Sequence, residues 1–246
     1  MTVIDILLKK RGINTPAKIK EFFNPVNPDN ISLKSIDLDP VQVKRAIQLI
    51  KQAVKVKRPI YIYGDYDADG ICSTAILWEA LHQLKAQVMP YIAARNEAVR
   101  GLSVKGLKTL KPKSLVITVD NGITSYDGAE FAKKTGIDLI ITDHHQAKDK
   151  LPQAAAIVHT TQLAGAGIAW FLARELGGNG LDLAALATVA DMVPLLNANR
   201  SLVKHGLLRL QQTGRPGIKA VLKLTQVEIK KISPHQISFT LAPRLN

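Results

Sequence analysis

Residues 59–70 read PIYIYGDYDADG, a short β-rich run that breaks into a loop carrying Asp65, Asp67 and Asp69. The following ICSTAILWEALHQL (71–84) is helical. AQVMPYIA (86–93), SLVITVD (114–120) and DLIITD (138–143) read as strands, and SYDGAEFAKKTG (125–136) as a helix between the last two. AAAIVH (154–159) adds one more strand. Strands alternating with helices predict an α/β fold, a parallel β-sheet flanked by helices. The strands are unbroken apolar runs rather than alternating ones, which fits burial on both faces.

Outward from this centre, both ends of the chain turn helical. IDILLKKRG (4–12) and PAKIKEFFNP (16–25) are short amphipathic stretches stopped by Gly or Pro. PVQVKRAIQLIKQAVKVK (40–57) places Val43, Ile47, Ile50 and Val54 at helical spacing. Residues 1–57 therefore read as a helical N-terminal preamble, set apart from the main domain expected over residues 58–246. From about Gly165 a helical C-terminal portion follows: GIAWFLAREL, LDLAALATVADMV, RSLVKHGLLRLQQ and GIKAVLKL. GGNG (177–180) reads as a loop or helix stop.

The chemistry gathers where strands end. One strand runs into Asp65, Asp67 and Asp69, another into Asp120, and a third into Asp143, His144 and His145. In open α/β sheets, ligands bind in the crevice at the carboxyl ends of the strands. Alternate residues of an extended segment share a face, so DYDAD can aim its acids one way. Clustered carboxylates repel unless cations neutralise them. Carboxylates with imidazole suit Mn²⁺ ahead of Mg²⁺. Such a cluster commonly holds two ions roughly 3.5–4 Å apart, clamping the attacking and leaving oxygens of phosphoryl transfer. A lone Asp after a strand is usually a turn former or helix cap. That account does not extend to successive strand ends followed by Asp-His-His. Asp65 is the acid expected to support the others rather than to ligate. Asp127, Asp138 and Asp149 read as ordinary surface or cap residues.

Composition is consistent with this. The chain has 246 residues, is 46% apolar, and carries a formal net charge of +13. So basic a balance favours a polyanionic partner, nucleic acid first. The single cysteine, Cys72, excludes an intrachain disulfide and is expected to pack as a small hydrophobe. No apolar run approaches the ~18 residues of a membrane helix. The N-terminus lacks a basic-then-apolar leader pattern, so the expectation is a cytoplasmic protein without membrane association.

Four motifs resemble those of the DHH superfamily of phosphoesterases: YGDYDADG (63–70), VITVDNGI (116–123), ITDHH (141–145) and ALATVADMVPL (185–195). Within that superfamily the chain resembles the RecJ family. The likeness runs through ILLKKRGI and FFNP, LAGAGIAWFLAREL (163–176), NRSLVKHGLLRLQQTGRPGIKAVL (199–222) and APRLN (242–246). The resemblance implies two divalent cations, Mn²⁺ or Mg²⁺, on Asp67, Asp69, Asp120, His144 and Asp191, with Asp120 bridging. It implies that His145 contacts the substrate phosphate, and that Asp120, His144 and His145 form the catalytic group. Arg244 would grip a phosphate, with Asn246 in the same motif. Arginine suits this because its fork donates two bonds.

The chain also departs from the family. Tyr63 stands where many members have a histidine ligand. AARNEAVRGL (93–102) keeps the spacing of a RecJ segment without its central glutamate and tyrosine, leaving Arg95 and Arg100 as candidate DNA contacts. RecJ proteins continue past APRLN into a DHHA1-type domain and often an OB-fold. The expectation is a cleft completed by such a domain or by a partner protein. The implied activity is hydrolysis of single-stranded DNA, 5′ to 3′, into nucleotides, in DNA repair or recombination. Alternative readings are a phosphodiesterase for short oligonucleotides or cyclic dinucleotides, and a non-catalytic replication scaffold. Aromatics make up 5% of the chain, and Trp78 and Trp170 lie on helices expected to pack in the core, so base-stacking platforms are expected elsewhere.

Overall fold

The structure, a computed structural model, describes residues 2–93 and 101–246. Strands β1 (Ile60–Gly64), β2 (Val88–Ile92), β3 (Leu115–Val119), β4 (Asp138–Asp143) and β5 (Ala156–His159) form a parallel sheet in the order β2-β1-β3-β4-β5. The chain moves outward from β1 to β2, then crosses back to β3. The switch in direction opens a crevice between the carboxyl ends of β1 and β3.

Helices α1 (Val3–Lys10), α2 (Pro16–Phe23) and α3 (Pro40–Lys55) precede the sheet. Helices α4 (Ala68–Gln83), α5 (Val104–Leu107) and α6 (Tyr126–Lys134) lie between strands. Helices α7 (Gly165–Glu175), α8 (Leu181–Ala190), α9 (Asn197–Leu210) and α10 (Pro216–Leu224) follow, and short helical turns run from Pro234 to Arg244. Alternate strand residues feed opposite layers, as the pleat requires. Ile60, Ile62, Leu115, Ile117, Val119 and Ile140 join the core that includes α4, α7 and α8. Tyr63, Val116, Leu139 and Ile141 face the smaller layer with Ala129 and Ala132 of α6. Cys72 is buried in the larger core, as is Trp170; Trp78 is partly buried against it.

The first 57 residues are packed onto this body. Ile36, Leu38, Val43, Ala46 and Ile50 belong to the same core as the sheet. Side chains of α9 bond the carbonyls of the segment before α3: Arg200 to Phe22, Ser201 to Val26 at 2.7 Å, and His205 to Pro25 at 3.2 Å. The NRSLVKHG segment thereby fastens FFNPV in place. No helix among the described residues is long and apolar enough to cross a membrane.

Candidate metal centre

The crevice collects the residues that the sequence marked. Asp120 directly follows β3 and adopts φ 61°, a left-handed backbone that a β-carbon disfavours. This kink brings its carboxylate back toward the end of the sheet. His144 follows β4, with Nε2 3.0 Å from Asp120 Oδ1 and 3.7 Å from Asp69 Oδ2. Its Nδ1 lies 3.8 Å from Asp191 Oδ2. Asp191 occupies the C-cap of α8, where the helix dipole disfavours negative charge. Two groups have ligand atoms within 4.8 Å of one another: Asp120, His144 and His145, and Asp69, His144 and Asp191.

Asp69 sits on α4 and also caps α7. Gly165 N–H donates to Asp69 Oδ2 at 2.6 Å, and Ala166 N–H to Oδ1 at 2.7 Å. The glycine is sterically required. A β-carbon on Gly165 would lie 2.7 Å from Asp120 Cβ and 2.8 Å from its Oδ1. Sequence reading did not assign this role, although the small residues of LAGAG opening an apolar helix were its visible trace.

Asp67 does two things. Its Oδ1 caps α4 by accepting from Gly70 N–H at 3.0 Å, and its charge raises the carboxyls of Asp120 and Asp191. It lies outside both ligand groups. Asp65 accepts from the Tyr66 amide at 2.7 Å and also lies outside them. Gly70 lets the loop fold tightly, because a β-carbon there would meet the Asp65 backbone at 2.5 Å. Tyr63 is fully buried, stacked on Tyr91 and 3.2 Å from Ser103 Oγ.

Asp143 organises the loop after β4. Its Oδ1 accepts from His144 N–H at 2.7 Å, from His145 N–H at 3.1 Å and from His145 Nδ1 at 2.7 Å. Its Oδ2 accepts from Ile123 N–H at 2.8 Å. Burial alone would push this carboxyl up, but the bonds from His145 and Ile123 outweigh it and hold it below the usual carboxylate value. The Asp143 bond in turn raises the His145 imidazole. With Nδ1 committed to Asp143, Nε2 is the nitrogen of His145 left for a ligand.

The remaining site predictions divide by position. Asn246 reaches the DYDADG loop, its Oδ1 accepting from Ala68 N–H at 2.7 Å. Arg244 is exposed and donates to Thr240 O at 2.7 Å. Arg95 and Arg100 lie outside the described residues.

The donor set fits a divalent cation. Burial pushes Asp69 up to about 7, with the Asp191 charge adding to it, and burial with the Asp69 and Asp67 charges pushes Asp120 well up. Among the described residues no lysine or arginine pairs with these carboxylates. Asp120 Oδ1 is buried without a hydrogen-bond partner, since its 3.0 Å approach to His144 lacks hydrogen-bond geometry. An orphaned buried oxygen is costly. A cation removes that cost and the mutual repulsion together.

An α/β sheet with carboxylates and imidazoles gathered at its switch point is the architecture of a metal-binding α/β domain. The chain belongs to the DHH family: the description "DHH family, N-terminal domain" matches residues 59–193. It is 40% identical over 98% of its length to the single-stranded-DNA-specific exonuclease RecJ of Bacillus subtilis, and spans 32% of that protein. A crystal structure of exonuclease RecJ bound to manganese superposes with TM-score 0.75 at 31% identity, covering 87% of this chain and 58% of the other. RecJ of Thermus thermophilus in complex with Mg²⁺ gives 0.66 at 27% identity, covering 96% and 32%.

Proposed function

We propose that this chain is the catalytic core of a RecJ-type exonuclease that hydrolyses single-stranded DNA from the 5′ end, releasing mononucleotides in DNA repair or recombination. The observation that carries the reading is the convergence of Asp69, Asp120, His144 and Asp191, whose charge and orphaned oxygen call for cations. Asp67, Asp69, Asp120, His144 and Asp191 would hold two divalent ions, Mn²⁺ or Mg²⁺. Ions bound there would supply Lewis-acid charge and lower the pKa of water.

The chain's own residues do the rest. Asp143 holds the His145 ring by Nδ1, which leaves Nε2 to donate to a phosphoryl oxygen. Arg244 adds a second positive group, and together they neutralise charge that grows in the transition state. Asn246 steadies the loop bearing Asp67 and Asp69 through the Ala68 amide. The left-handed Asp120 backbone fixes its carboxylate before substrate arrives, so no reorganisation is needed during reaction. The net charge of +13 draws in a phosphate backbone. The cleft is completed by a further domain of the DHHA1 type or by a partner protein.

The test uses 5′-labelled and 3′-labelled single-stranded oligonucleotides with Mn²⁺, with Mg²⁺ and with EDTA. Immediate release of the 5′ label as mononucleotide, stopped by EDTA, is expected. Release from the 3′ end, or turnover indifferent to EDTA, refutes the reading. Cleavage of dinucleotides alone replaces the substrate class.

A further inference from the structure

We infer that His159, at the end of β5, is a positioning residue that holds the loop carrying His145. His159 sits beside Asp143 in the parallel register of β4 and β5. Its Nε2 lies 2.7 Å from the carbonyl oxygen of His145. A carbonyl only accepts, so the imidazole donates through Nε2–H. His145 is thus tied at three points. Its amide and Nδ1 bond to Asp143, and its carbonyl bonds to a different strand.

The third tie matters because of what the other two leave free. Both of the first bonds end on one carboxylate oxygen, Asp143 Oδ1, and His145 could pivot about it. The loop after β4 forms no helix or strand from His144 to Ala155 that would stop such a turn. A bond from β5 to the His145 carbonyl fixes the peptide plane, and with it the direction of Nε2. A site displaced by a fraction of an ångström loses much of its rate. The inference deepens the proposed function, and rests on it only for His145 meeting the substrate phosphate. The role belongs to a fourth strand end, where AAAIVH closes on a histidine as three of the other strands run into acids.

The amide of glutamine reproduces the reach of imidazole Nε2, and that of asparagine reproduces Nδ1. The experiment therefore compares His159→Ala, His159→Asn and His159→Gln. It also combines His159→Ala with His145→Ala. Turnover on single-stranded DNA, Mn²⁺ affinity, melting temperature and the long-range ¹⁵N signals of the His145 ring are measured for each. One lost orienting hydrogen bond corresponds to roughly a tenfold fall in kcat. That fall is expected in His159→Ala and His159→Asn, with KM, Mn²⁺ affinity and melting temperature unchanged, and with activity restored in His159→Gln. In the His145→Ala background, His159→Ala should cost nothing further. An undiminished kcat in His159→Ala overturns the inference, as does an equal cost in both backgrounds or a joint loss of Mn²⁺ affinity and stability. If the unaltered protein hydrolyses no DNA with any cation, the functional reading fails separately. The His145 ring signals then decide, and signals unmoved by His159→Ala overturn the positioning role.

Discussion

Two clusters of charge in this molecule are resolved in opposite ways. At one flank, Arg215 lies between Glu79 of α4 and Asp182 of α8. It is paired in bidentate fashion with Glu79, with Nη2–Oε2 at 2.9 Å, and with Asp182 through Nε–Oδ2 at 2.7 Å. The protein supplies its own cation, and the arrangement staples α4, α8 and the turn before α10. The carboxyl edge of the sheet gathers a similar density of carboxylate around His144 but pairs it with no lysine or arginine among the described residues. A cluster neutralised from within stabilises a fold. A cluster left charged raises its own pKa values and waits for an external cation. The two ends of β4 repeat the contrast. Asp138 at its start pairs with Arg58, whereas Asp143 at its end orders a loop of histidines.

The largest effect is expected at the unneutralised cluster. Asp120→Asn keeps the shape of the side chain and removes the charge. Metal-dependent turnover should fall by at least ~10³-fold, the scale of losing a main electrostatic contributor. Stability in EDTA should rise, because a buried repelling carboxylate is gone. The opposite signs are the signature of a site that trades stability for function. If Asp120→Asn turned over normally, or lost stability in EDTA, the contrast between the clusters would collapse.

Gly165→Ala sharpens the comparison without altering any charge. The new methyl would press on Asp120, whose backbone is already left-handed and which has little room to yield. A misplaced ligand should lower Mn²⁺ affinity and kcat by roughly 10–10²-fold, the range seen when a ligand's supporting contacts are removed. Calorimetric Mn²⁺ titration reads this directly, and unchanged affinity would show that the close approach is tolerated.

Arg215→Met tests the neutralised cluster. It strands Glu79 and Asp182, which are partly exposed, with side chains 34% and 13% accessible. Breaking a fully buried pair costs about 3–5 kcal/mol, and the exposure here reduces that to ~1–3 kcal/mol. Urea unfolding in EDTA measures the loss. Mn²⁺ affinity should stay the same, and a drop in it would mean that the two clusters are coupled through α4 and α8.

The sheet was legible because a parallel strand covered on both faces reads as an unbroken apolar run, as in LVITV and DLIITD. Strand order was not, since nothing in AQVMPYIA says which side of β1 it joins. The four residues of α5 are too short for periodicity to register. Within the site, Asp120 and His144 were visible as side chains at strand ends. Asp69's amide donors were hidden because backbone groups leave no mark on composition. Asp143 was read among the acids, yet its oxygens are spent on amides and on His145 Nδ1 within its own loop. Asp67 carries both the cap role expected of any aspartate before a helix and a charge directed at Asp120.

The smallest effect is a pH dependence that separates the clusters by sign. Asp69 is raised from 3.8 to about 7 by burial, with Asp191 adding to it, and Asp120 and Asp191 are raised as well. A carboxyl whose folded value exceeds its unfolded one binds more protons when folded, so stability falls as pH rises between those values. Asp143 is shifted the other way, and its contribution is lost only below about 3.8. In EDTA the melting temperature should therefore decline between pH 4 and 7, by about 2–4 °C for each kcal/mol of stability lost in a chain of this size. Asp69→Asn should flatten much of the slope. Saturating Mn²⁺ should abolish it at the upper end, because a bound cation replaces the proton as the partner of these oxygens. A slope that survives both treatments would place its origin outside the crevice, and would remove the argument that this cluster is poised for a cation.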